Sequence, residues 1–171
     1  MKNDNLLERF GISRKQIEDY DVLFLPENFE DAESVEQLYD TVESIDLCKL
    51  LKSQGVNCAN SFDLGINIRY RDRRAADLWF GTLWVQGAVT IICSAVGTAI
   101  GELIAMRLGK KPRASPHLQV NQVIHLNLNI PDGDSRREIK FEEQVGPLLK
   151  KLADIAGEKE SEQKTGESQQ T

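Results

Sequence analysis

The chain has 171 residues, 40% of them hydrophobic, and a net charge of −6; this is the size of one domain or a small domain with appendages, and too apolar for a disordered protein. Three cysteines, Cys48, Cys58 and Cys93, with no CxxC pair, argue against a disulfide framework or a cysteine zinc site and fit a reducing compartment. Eleven acids lie between Gln16 and Cys48 with no Lys or Arg among them, which reads as a solvated acidic face and, as a second use, a docking surface for a basic partner.

The N-terminus lacks the apolar core of a secretory signal and the usual lipidation patterns. Ser13 and Gln16 stand at capping-box spacing and predict a helix from about Arg14 to Asp19. Val22–Leu25, closed by Pro26, predicts a short strand. Val35, Leu38, Tyr39, Val42 and Ile45 recur at steps of three and four, predicting one amphipathic helix over 32–53, stopped at Gly55. Leu64, Ile66, Ile68 and Tyr70 alternate with polar or small residues, the period of a strand with one buried face.

From Leu78 to Gly101 there are 24 residues without a charge, and the apolar character continues past Glu102 to Met106. A run this long is a candidate transmembrane helix. As one helix, 78–106 would measure about 44 Å, too long for a compact domain of this size to surround. A soluble version therefore needs a break, at Gly87 or in Ser94–Gly97, giving a buried helical hairpin. In the membrane version Trp79 and Trp84 are interfacial anchors at one end and Arg107, Lys110 and Lys111 at the other, with Gln86 and Glu102 as its liabilities. Four basic residues flank each end, Arg69, Arg71, Arg73 and Arg74 against Arg107, Lys110, Lys111 and Arg113. The tie sets no topology, and both clusters suit anionic lipid. Gly97 and Gly101 form GxxxG, with Ser94 and Thr98 on similar faces, a candidate surface for helix self-association.

Ile124, Leu126, Leu128 and Ile130 then alternate with His125, Asn127 and Asn129, and Pro131-Asp132-Gly133-Asp134 supplies turn chemistry. The pattern predicts a hairpin over 119–141 with those four side chains on one buried face. An amphipathic helix over 142–156 closes the fold, and 158–171, without an apolar residue, reads as a disordered tail.

No phosphate loop, dinucleotide fingerprint, EF-hand spacing or catalytic carboxylate pair is present, so no catalytic, cofactor-binding or metal-binding residue is assigned. His117 lies in a Pro-bounded loop. His125, on the polar side of its strand, reads as an ordinary solvated or hydrogen-bonded residue before it reads as a site. Nucleic acid is disfavoured by the acidic balance and the lack of aromatics among the basic residues.

The succession VGTAIGELIAMRLGKK, VIHLNLNIPDGDSRREIKF and VGPLLKKL resembles the layout of the effector-associated constant component family, small domains linked to bacterial conflict systems. It covers about the last 70 ordered residues. The resemblance implies a non-catalytic accessory domain coupled to an effector, in antiviral defence.

The expected fold is α+β: a small mixed sheet of 64–70, 119–130 and 136–141, packed amphipathic helices, and one long apolar helical segment, either a single transmembrane helix or a buried helical hairpin. The regions are an acidic α/β part (1–77), the apolar segment (78–106), a hairpin plus helix (107–157) and the tail (158–171). The expected function is a non-catalytic, membrane-associated accessory protein that self-associates through the apolar helix and presents an acidic surface to a protein partner. The alternatives are a cytoplasmic α+β adaptor coupled to an effector, and an enzyme with a dispersed site.

Overall fold

The computed structural model describes residues 8–71, 77–109 and 122–167, with side chains over 8–71, 77–106 and 122–157. Expectations for Arg73, Arg74, Lys110, Lys111, Arg113, His117, the side chain of Arg107 and residues 168–171 lie outside the described residues. Four helices and a five-stranded mixed sheet make the described part an α+β structure.

Local signals account for the first elements. The helix α1 (Arg14–Glu18) carries the capping box, with the Ser13 side chain accepting from the Gln16 backbone and Gln16 reaching back to Ser13. Strand β1 (Val22–Leu25) is buried along its whole length and stops where Pro26 cannot donate to a ladder. The helix expected over 32–53 is corrected. A short 3-10 turn (Val35–Gln37) and a strand β2 (Tyr39–Thr41) come first, and helix α2 covers only Val42–Ser53. Two side chains impose the break. Asn28 brackets the earlier segment, donating to the Gln37 carbonyl and accepting from the Tyr39 N–H. Thr41 caps α2 by accepting from the Ser44 N–H.

Strand β3 (Cys58–Ala59) follows, then β4 (Arg69–Arg71). The strand expected at 64–70 is also corrected. Leu64, Ile66 and Ile68 are buried as the alternation requires, but only 69–71 pair, with β2 in a separate two-stranded ribbon.

The apolar run divides at Gln86–Ala88. Leu78–Val85 is strand β5, not the start of a helix, and helix α3 begins at Val89 and runs to Gly109. The break falls at one of the two positions expected of a soluble version, but it separates a strand from a helix. Gln86 earns its place there: its side chain donates to the Ile17 carbonyl and its backbone N–H to the Asp21 carbonyl. Gly87 passes so close that an added Cβ would lie 2.8 Å from Asp21 Cβ.

Strands β6 (Ile124–Asp132) and β7 (Ser135–Glu143) form an antiparallel hairpin turning at 133–134, where Gly133 takes φ +61°. Helix α4 (Val145–Glu167) closes the chain. This corrects the expected tail, since the helix reaches Glu167. Glu, Lys and Gln propagate a helix well even where no apolar face remains to pack.

The sheet order is β3-β1-β5-β6-β7. It draws strands from each of the three ordered regions expected from the sequence. β1 and β3 are parallel, β1 and β5 antiparallel, β5 and β6 parallel. Helix α3 is therefore the crossover of a β-α-β unit. One sheet face packs Val22, Phe24, Leu78, Phe80, Leu83, Ile124, Leu126, Leu128, Ile130 and Phe141 against α2, α3 and α4. The other face packs Leu23, Leu25 and Trp84 under the N-terminal segment, with Phe10, Ile12, Phe29 and Leu38. Among the described residues no apolar side chain of β6 or β7 joins that second core, which leaves their second face polar and partly open.

Candidate functional site

Gly81 creates the site's geometry. It takes φ +68° and marks a bulge where the β5–β6 register slips between Trp79 and Thr82. Phe80 and Leu83, three apart, thereby both point into the helix-side core, and Trp79 points to the open face. A Cβ at Gly81 would sit 3.2 Å from the Leu25 carbonyl oxygen and 3.5 Å from Asp40 Oδ1. The missing side chain is what lets the acidic segment approach β5.

Register then aligns Trp79, His125 and Glu142 across three neighbouring strands. The indole and imidazole rings stack face to face, with centroids 3.6 Å apart and planes 3° from parallel. His125 Nε2 lies 3.2 Å from Asp77 Oδ2. An ionised carboxylate only accepts, so Nε2 carries the proton in this pair. Nδ1, on the other side, is 3.8 Å from Glu142 Oε1. The imidazole thus lies between two carboxylates with its plane held by the indole.

These residues border a pocket of about 200 Å³ lined by Glu27, Trp79, His125, Asn127, Lys140 and Glu142, among others. Beneath the bulge, the buried carboxyl of Asp40 is pushed up to about 7 by desolvation, against the pull of the Thr41 N–H that it accepts. Thr41 in turn donates its hydroxyl to the Trp79 carbonyl. Further along the same face, Arg136 lies 3.9 Å over the Trp84 ring and donates to Asn129 and to the Val85 carbonyl. The cleft is aromatic and mainly anionic, which suits a cationic or hydrogen-bond-donating group. No serine, threonine or cysteine is among its described lining residues. Among the described residues no three His, Cys, Asp or Glu side chains are placed to hold a metal ion.

The residues singled out from the sequence are scattered. Trp79 and Trp84 belong to β5, not to a helix end: Trp79 lines the pocket and Trp84 sits in the second core. Ser94 and Thr98 are exposed on α3, with the Thr98 hydroxyl donating to the Ser94 carbonyl. Gly97 faces α4, where a Cβ would lie 3.6 Å from Leu149 Cδ2, while Gly101 faces open space. The two glycines therefore do not share a free groove. Among the described large hydrophobic side chains of α3, Ile91 and Met106 are exposed.

Sequence reasoning missed Asp77 and Glu142 as partners of His125, because only the β5–β6 and β6–β7 registers bring them together, and it missed Glu27 as a lining residue of the same pocket. It also missed that Cys48 and Cys58 meet, their sulfurs 3.8 Å apart in the core. The turn at Gly55 between α2 and β3 was the available signal.

Comparison with protein-family models, with curated proteins and with solved structures finds no match for this chain.

Proposed function

We propose that the chain is a non-catalytic α+β adaptor whose acidic pocket receives a basic side chain from a protein partner. The observation that carries this is the pocket itself: Glu27 and Glu142 line it beside the Trp79–His125 stack, with Asp77 behind the histidine. A guanidinium or ammonium group gains from both components, the carboxylates by charge-assisted hydrogen bonds and the indole by cation–π attraction. The layout of the C-terminal half, similar to the effector-associated constant component family, supports an effector as that partner in a bacterial defence-type system.

The test is a titration of the full chain with a short arginine-containing peptide amide, read at the indole N–H resonance of Trp79. The expected result is a saturable shift that weakens with salt, fades in Glu142→Gln, and is absent with the glutamate counterpart of the peptide. Glu142 is largely exposed, so this variant leaves the fold undisturbed. A Trp79 resonance that stays fixed up to about 10 mM peptide, beyond the range of ordinary weak recognition, would count against the pocket as a docking site.

A second reading, membrane association with self-association through α3, is favoured by one observation. Val89–Met106 is long and apolar enough to cross a membrane, and Ile91 and Met106 are exposed on it. Against a full span stands the parallel pairing of β5 with β6 across that helix, and the burial of Ile92, Val96, Ala99 and Ile100 in the core. Vesicle flotation separates the readings. Membrane association predicts that the chain floats with anionic vesicles and that Ile91→Arg reduces flotation. The adaptor reading predicts that wild type and variant both stay in the soluble fraction.

A further inference from the structure

Strand β7 is the outer strand of the main sheet, and among the described residues no strand pairs with its far side. It runs nine residues, from Ser135 to Glu143, long enough to template another chain. Charged residues commonly guard such an edge against indiscriminate pairing. Here the order of the charges does more than repel.

Arg136, Glu138, Lys140 and Glu142 alternate in sign along one face of β7. Arg137, Ile139 and Phe141 lie on the other face, where Phe141 enters the helix-side core and Ile139 packs against it. If a second copy is laid antiparallel with Ile139 opposite Ile139, Glu138 falls opposite Lys140 and Arg136 opposite Glu142. Two-fold symmetry repeats each pair. Sliding the copy by two residues one way sets Glu138 against Glu138, and the other way sets Lys140 against Lys140. Sliding by one residue turns the charged face to the wrong side. One register is matched at Glu138 and Lys140 and its neighbours are penalised there, while the Arg136 guanidinium stays over Trp84 and donates to Asn129 and the Val85 carbonyl.

The backbone agrees with that register. In an antiparallel hairpin, residues alternate between bonding the partner strand and pointing their N–H and C=O outward. Counted from the closing pair Asp132–Ser135 of the two-residue turn, the outward residues are Arg136, Glu138, Lys140 and Glu142. These are the positions that must exchange hydrogen bonds in the charge-matched register. Ile139 then falls on the two-fold axis as a non-bonded pair, where side chains come closest. A pocket of about 370 Å³ lined by Ile139, Phe141 and Ile155, with Arg137, Lys151 and Asp154 around it, lies beside this edge, and the facing Ile139 would cover it.

We propose that two copies of this chain pair β7 to β7, antiparallel about Ile139, joining their sheets into one. Within a single chain Lys140 Nζ lies only 3.9 Å from Glu138 Oε1; the dimer replaces that loose contact with two crossed pairs. The open faces of both sheets fall on the same side, so the two acidic pockets are presented together. The pairing does not rest on what the pocket binds.

Sedimentation velocity on the full chain tests it. Wild type is expected to be a dimer, and Glu138→Lys and Lys140→Glu each a monomer, because each sets like charges opposite one another twice. An equimolar mixture of the two single variants is expected to form a heterodimer, and the double variant Glu138→Lys/Lys140→Glu to dimerise again. Hydrogen exchange gives a readout without variants: dilution should deprotect the amides of Glu138 and Lys140 and leave that of Ile139 unchanged. Wild type that stays monomeric up to about 0.1 mM, where a dimer of micromolar affinity would be assembled, overturns the proposal. So do single charge reversals that remain dimeric, or a mixture of them that does not associate.

Discussion

Asp40 is 2% exposed, and burial pushes its carboxyl from an ordinary 3.8 up to about 7. A carboxyl raised in this way keeps its proton in the folded chain at pH values where the unfolded chain has lost it. Its stabilising contribution is complete below the unfolded value and is lost as pH rises through about 7. Asp40→Asn removes the titration while its side-chain oxygen still accepts from the Thr41 N–H. Urea unfolding across this range should show a flatter pH dependence for the variant, and at pH 7 a gain of up to ~4 kcal/mol, the linkage limit for a shift of this size. A variant whose stability follows the wild-type slope would assign the buried titration to another group. Little of this was legible in the sequence: Asp40 looked like one more acid on an exposed helix face, because the stripe through Val35, Leu38, Tyr39 and Val42 fits a helix as well as the broken path observed. His125 was half legible. Its place on the polar side of a strand followed from alternation, but Trp79 and Asp77 reach it only through a parallel register that no local pattern encodes.

At the scale of elements, α3 puts its glycines to different uses. A side chain at Gly97 would press on Leu149 and Leu152 of α4, whereas Gly101 has nothing within 4 Å of an added Cβ. Gly97→Leu should overpack that contact and lower stability by ~1–3 kcal/mol. Gly101→Ala should raise it by ~0.5–1 kcal/mol, the ordinary gain from replacing a helical glycine. Thermal unfolding of the two variants checks this, and equal effects would mean that both glycines meet the same surroundings. Elements defined by near neighbours were the legible ones. The Ser13–Gln16 capping box, β1 before Pro26 and the Gly133 hairpin each depend on contacts a few residues apart. β5 was not legible, because the bulge at Gly81 breaks its alternation midway and the uncharged first part of α3, Val89–Gly101, follows after three residues. A strand and a helix that are both apolar read as one run when only length and charge are counted.

For the whole molecule, the sheet draws on the chain from Val22 to Glu143, so its parts depend on one another. Residues 107–157 by themselves would keep β6, β7 and the start of α4 but lose β5 on one side of β6, and α3 above it. Ile124, Leu128 and Ile130, each 0% exposed in the full chain, would then lie open to water. An isolated hairpin with one helix and this little core is marginal. The fragment is expected to give a poorly dispersed amide NMR spectrum; a dispersed, protected one would mean that the C-terminal half carries a core of its own. Fold class was legible from the sequence because it needs only the types of element. Strand order was not, since it depends on which distant edges meet.

The double burial of β1 has a consequence for synthesis. Val22 and Phe24 serve one core and Leu23 and Leu25 the other, yet β5, the antiparallel neighbour that β1 requires, leaves the ribosome about sixty residues later, and β5 itself waits for β6 beyond a helix. Non-local pairings of this kind close slowly. Until they close, the nascent chain displays an apolar strand with no partner on one edge and a helix with bare flanks, surfaces that holdase chaperones bind. Translation speed through α3 would therefore influence how much of the chain reaches the folded state.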